Sequence, residues 1–176
     1  SGRTDTGVHA IEQSAHFDCK KKIQNLEKFL KSINHFVNNE VISIISIKKR
    51  NLKFHARFNA KKRIYEYIIF NRLSKPSIQR ERGWHIIKKL DVNIMKKGAQ
   101  KLLGTQDYST FRASSCNAKS PIRTIESITI KKVKSKIKIQ FNSKSFLQQQ
   151  VRSMVGCLKY LAEGKWDLKN FEKVLK

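Results

Sequence analysis

Thr124-Ile-Glu-Ser-Ile-Thr-Ile-Lys-Lys-Val133, then Lys134-Ser135, then Lys136-Ile-Lys-Ile-Gln-Phe141, is the stretch that decides the fold class. Both long runs alternate Ile with polar residues, and only two residues separate them, so they read as a β-hairpin. After Phe146 the period changes. Leu147, Val151, Met154, Val155, Leu158 and Leu161 recur at helical spacing up to Glu163, and Gly164 supplies the stop. Asp167 then opens a last short helix. Upstream of the hairpin, Asp91 reads as the N-cap of a helix carrying Val92, Met95, Ala99, Leu102 and Leu103, with Gly104 at its end. Residues 107–123, between that helix and the hairpin, read as a polar loop.

The first half of the chain has the same ingredients. Glu12 to Asp18 reads as a short strand with Gln13, Ala15 and Phe17 on one face. Ile23, Leu26, Phe29, Leu30, Ile33 and Val37 mark an amphipathic helix, and Val41 to Lys49 and Ala60 to Phe70 read as strands. A basic loop containing Pro76 leads on to Trp84. The pattern predicts an α+β fold of two lobes, residues 1–83 and 84–176. Each has mostly antiparallel sheet with helices packed on one face, and a basic cleft between the lobes would suit RNA.

The charge balance narrows the partners. Among 176 residues, 38 Lys and Arg stand against 13 Asp and Glu, a net +25 at pH 7. Self-repulsion of that size favours an anionic partner, and each phosphate contact to nucleic acid releases condensed counterions. The abundance of Lys, Ile and Asn, all encoded by AT-rich codons, contributes to the same excess. Cys19, Cys116 and Cys157 are far apart and form no Cys-x-x-Cys pair, which fits a reducing, cytoplasmic setting and neither a zinc site nor a disulfide framework. No apolar run reaches membrane-spanning length, so no membrane partner is expected.

The densest chemical signal is Gly2-Arg3-Thr4-Asp5-Thr6-Gly7-Val8-His9-Ala10. On its own, Thr-Asp-Thr-Gly is a turn in which Asp caps backbone donors and Gly accepts positive φ. A tight turn also presents a carboxylate rigidly. Three more segments stand out: Phe54-His-Ala-Arg-Phe-Asn-Ala60 followed by Arg63-Ile-Tyr-Glu-Tyr67; Asp107-Tyr-Ser-Thr-Phe-Arg112 followed by Lys119-Ser-Pro-Ile-Arg-Thr124; and Phe146-Leu-Gln-Gln-Gln-Val-Arg-Ser-Met-Val-Gly156.

In this order, the four segments resemble the motifs of the tRNA pseudouridine synthase A family over nearly the whole chain. The resemblance implies that Asp5 is the catalytic carboxylate, that Arg152 is its basic partner, and that Tyr65 stacks on the extruded base. It implies tRNA contacts for Arg3, Arg57 and Arg112. His9 is a further RNA candidate, or a structural histidine. Uridine isomerisation involves no redox change, so no cofactor and no metal are expected. Asp5 must be ionised, and a buried carboxylate needs a cation beside it to stay so. The pattern is equally consistent with attack on the base, attack on the sugar, or a glycal route.

By periodicity alone Arg152 follows core-facing Val151 and is open to either orientation. Tyr67 shares the side-chain parity of Tyr65. Gln148, Gln149 and Gln150 depart from the histidine-rich family pattern. The resemblance further implies the anticodon stem-loop, positions 38 to 40, as target and a homodimer for the full-length protein. It also implies a first strand and helix ahead of the motif and further chain after Lys176. A pseudouridine synthase with another RNA target, and a tRNA-binding domain without catalysis, are the alternative readings.

Overall fold

A computed structural model describes residues 4–175. Residues 11–59 form one compact unit; residues 4–10 together with residues 60–175 form another.

The second unit is an α+β layer built on the hairpin. Strands β1 (Arg63–Asn71), β2 (Trp84–Ile86), β3 (Gly104–Asp107), β4 (Ile122–Val133) and β5 (Lys136–Ser143) make one sheet in the order β2-β1-β5-β4-β3. The β4–β5 hairpin turns at Lys134-Ser135, where Val133 opposes Lys136 and Lys134 takes φ 53°. All pairings are antiparallel except β1 with β2. The sheet therefore combines β1, from before residue 83, with strands that follow it. Sequence reading missed β2 and β3, which at three and four residues are too short to carry a period.

Helices α2 (Val92–Lys101), α3 (Gln150–Ala162) and α4 (Leu168–Val174) pack against one another and against the sheet, α2 on β4 and α3 on β1. Ile137, Ile139 and Phe141 alternate into this core with no exposure at all. Full burial of each such side chain contributes about 1.5–3 kcal/mol. On β4, both Ile125 and Ile128 are buried despite their spacing, because a register shift between Ile125 and Ser127 restores the inward face. The caps follow the sequence. Asp91 accepts from the backbone of Asn93 and Ile94, and Asp167 accepts from Asn170. Gly164, at φ 73°, closes α3.

In the first unit, α1 (Leu26–Phe36) begins at the Asn25 cap, whose side chain accepts from Lys28. The strands expected at 12–18 and 41–49 are not formed. A strand exists only by pairing, and among the described residues neither segment has a ladder partner. Asn34 supplies one rung instead: its side-chain amide donates to the Ile44 carbonyl and accepts from the Ile44 N–H.

Candidate active site

Residues 4–10 form a turn. The Val8 N–H donates to the Asp5 carbonyl at 3.1 Å, and Gly7 sits at φ 77°, a conformation that a Cβ would strain. The hydrogen bond that closes the turn uses the Asp5 main chain and not its carboxylate. Asp5 is exposed, contrary to the expectation of a buried carboxylate.

Strand β1 sets two tyrosines on the helix-covered face, with Tyr65 opposite Phe141 and Tyr67 opposite Ile139 on β5. Tyr65 is half-buried and meets Phe146 edge to face, ring centroids 5.1 Å apart. Burial raises the Tyr65 phenol above its ordinary value; the Arg63 guanidinium pulls it down and the Asp5 carboxylate pushes it up. Tyr67 packs against the core, and burial raises its phenol too, with Arg152 acting in the opposite sense. The shared parity thus resolves into two environments, one beside Asp5 and one beside Arg152.

Helix α3 delivers Arg152 from its first turn. The helix starts at Gln150 rather than Phe146 because Gln149 adopts a left-handed conformation, φ 59°, that breaks the helical path. Gln150, 1% exposed, fixes that break: its Oε1 accepts from the Leu147 N–H at 2.8 Å. The Arg152 side chain is exposed, and its Nη2 donates to the Thr6 carbonyl at 3.0 Å. The guanidinium therefore grips the turn at the residue after Asp5.

Arg63, which opens the Arg63–Tyr67 segment and was not among the expected site residues, donates from Nη1 to the Lys144 carbonyl and bears on the Tyr65 phenol. Its odd position on β1, shared with Tyr65 and Tyr67, was the available signal. Arg112 is exposed just after a 3-10 turn at Ser109–Phe111. Its loop is tied to the lead-in of α3 by the Ala113 N–H donating to the Gln148 carbonyl at 3.0 Å. His9 is exposed at the end of the Asp5 loop. Arg57 belongs to the unit of residues 11–59, and Arg3 lies outside the described residues. The structure thus draws Asp5, Tyr65 and Arg152 to one end of the sheet from segments far apart in sequence.

Comparison with known proteins points the same way. A family model described as tRNA pseudouridine synthase matches residues 99–176. The tRNA pseudouridine synthase A of Pelagibacter ubique (strain HTCC1062) is 75% identical over all 176 residues, which cover 72% of that protein. Those of Maricaulis maris (strain MCS10) and Paramagnetospirillum magneticum (strain ATCC 700264 / AMB-1) are 36% and 39% identical over 99% of the chain, covering 70% and 68% of their lengths. Identity this high, extending from the Asp5 turn through α4, places the chain in the tRNA pseudouridine synthase A family.

Proposed function

We propose that the chain is the greater part of a cofactor-independent isomerase that converts uridine to pseudouridine in the anticodon stem-loop of tRNA, at positions 38 to 40, with Asp5 as its catalytic carboxylate. The reaction breaks the N1–C1′ bond, turns the uracil and joins C5 to C1′; the C5 proton leaves and N1 regains one, so atoms and electrons balance. Asp5 supplies the carboxylate that acts on base or sugar. Arg152 holds the Asp5 turn and keeps the local potential positive, and Tyr65 offers a ring against which the extruded uracil rests. Arg3, Arg57, Arg112 and His9 contact the RNA. The full-length protein works as a homodimer in the cytoplasm. The observation that carries this reading is the hydrogen bond from Arg152 to the Thr6 carbonyl, which joins the helix to the carboxylate-bearing turn. Among the described residues no helix is long and apolar enough to cross a membrane.

Asp5→Asn in the full-length protein tests it. Pseudouridine formation is lost while tRNA binding is largely retained; unchanged conversion sinks the role of Asp5. Mapping pseudouridine across a tRNA pool tests the target, and modification outside the anticodon arm would favour the alternative reading of a different RNA site.

A further inference from the structure

Phe58 is 73% exposed. It is also not alone. Its ring lies 4.3 Å from that of His55 at an interplanar angle of 33°, and His55 lies 4.4 Å from His16. His16 meets Phe54 edge to face at 6.3 Å. A guanidinium caps each end: Arg57 sits 5.7 Å over Phe58, and Arg50 sits 5.6 Å over Phe54. All six residues belong to the one unit of residues 11–59.

The platform is built rather than incidental. His55 Nδ1 accepts from the backbone N–H groups of Arg57 at 3.2 Å and Phe58 at 3.4 Å. The His55 N–H donates to Asn59 Oδ1, and the Asn59 N–H returns a bond to the His55 carbonyl at 2.9 Å. His16 Nδ1 accepts from the Ala56 N–H at 3.4 Å. These bonds close the 55–59 turn and fix the angle at which Phe58 and Arg57 are offered.

We infer that this stack is a second RNA contact, separate in role from the Asp5 turn, that receives an unpaired nucleotide of the tRNA at its Phe58 end, the base taking the ring face that Arg57 caps and the Arg57 guanidinium passing to its phosphate. The inference rests on the reading of tRNA as substrate. Unstacked bases settle on aromatic rings and guanidinium planes whatever their sequence, because every base has a π-face. Charge selects RNA over an apolar protein partner. Two arginines flank the rings, and the chain carries a net +25.

The test measures affinity of the full-length protein for unfractionated tRNA across a salt series, in wild type, Phe58→Ala, Phe58→Tyr and Arg57→Ala. Phe58→Ala weakens binding about tenfold with an unchanged salt slope, since stacking and not charge is removed. Phe58→Tyr, which keeps the ring, stays near wild type. Arg57→Ala lowers the salt slope by about one. Irradiated tRNA carrying 4-thiouridine cross-links within residues 54–58. Phe58→Ala binding within twofold of wild type overturns the inference, as does Phe58→Tyr binding no better than Phe58→Ala. A Phe58→Ala change in sedimentation mass without a change in tRNA affinity overturns it in favour of a protein contact. If wild type itself fails to bind tRNA in a salt-dependent way, the substrate reading falls as well.

Discussion

The Arg152 guanidinium holds the main-chain carbonyl of Thr6 at 3.0 Å, across 146 positions of sequence. This bond fastens the first turn of α3 to the turn that carries Asp5. Arg152→Lys keeps the charge that acts on the Tyr67 phenol but loses the planar fork that donates to the Thr6 carbonyl. A hydrogen bond involving a charged group contributes about 1.5–3 kcal/mol, so turnover by Arg152→Lys falls roughly tenfold to a hundredfold. Single-turnover kinetics checks this, and a rate equal to wild type would remove Arg152 from the site.

Tyr65 stands between Phe146 and the Asp5 turn, with its phenol raised chiefly by burial. A raised phenol stays protonated through neutral and mildly alkaline pH. The rate between about pH 7 and 9 is therefore free of any loss from ionisation of Tyr65. Tyr65→Leu removes the ring and weakens productive tRNA binding about tenfold, whereas Tyr65→Phe keeps that affinity. Binding titrations of the two variants separate the ring from the hydroxyl.

Gly83 is required by close approach. A Cβ there lies 2.7 Å from the Ile68 carbonyl oxygen and 2.7 Å from Phe70 Cε2, where β2 runs parallel to β1. The backbone oxygen cannot move without disturbing the ladder. Gly83→Ala costs about 1–3 kcal/mol. Chemical denaturation measures this as a lower midpoint, and a midpoint equal to wild type contradicts the packing argument.

Tyr108, 1% exposed, donates its hydroxyl to the Leu102 carbonyl at 2.8 Å and is also within 3.3 Å of the Gly104 carbonyl. Burial pushes its phenol from 10.0 up to about 12, with Gln106 acting in the opposite sense. Because the folded value is the higher one, the stability it contributes is fully present below about pH 10. It is lost as the pH rises through about 12. Thermal midpoints accordingly fall as pH rises above about 10, and Tyr108→Phe makes that fall shallower; Tyr65 and Tyr67, also raised, keep part of it. At neutral pH the same substitution leaves the Leu102 carbonyl without that donor and costs about 1–2 kcal/mol. An unchanged alkaline slope in Tyr108→Phe would show that its phenol is not the group responsible.

How much was legible in the sequence follows from the range of each interaction. The hairpin, the helical faces and the caps at Asp91 and Asp167 were readable because their causes are local. Alternating Ile makes β4 and β5, a 3.6-residue period makes α2 and α3, and Asp91 and Asp167 find their donors within three residues. The Thr-Asp-Thr-Gly turn was readable for the same reason, through Gly7. Residues 12–18 and 41–49 behave otherwise. Their composition favours strand, but a strand needs a neighbour to satisfy its backbone, and composition does not supply one.

The sequence by itself determined the turn at Asp5, the amphipathic faces and, through ordered motifs, the family. Only the tertiary structure decided what those pieces do together. It left the Asp5 carboxylate exposed, turned Arg152 toward the Thr6 carbonyl, separated Tyr65 from Tyr67 by environment, and brought Arg63 into the site. The physical reason is that orientation across 146 residues depends on a sheet register and on one left-handed residue, Gln149, that resets where α3 begins. No local period encodes either.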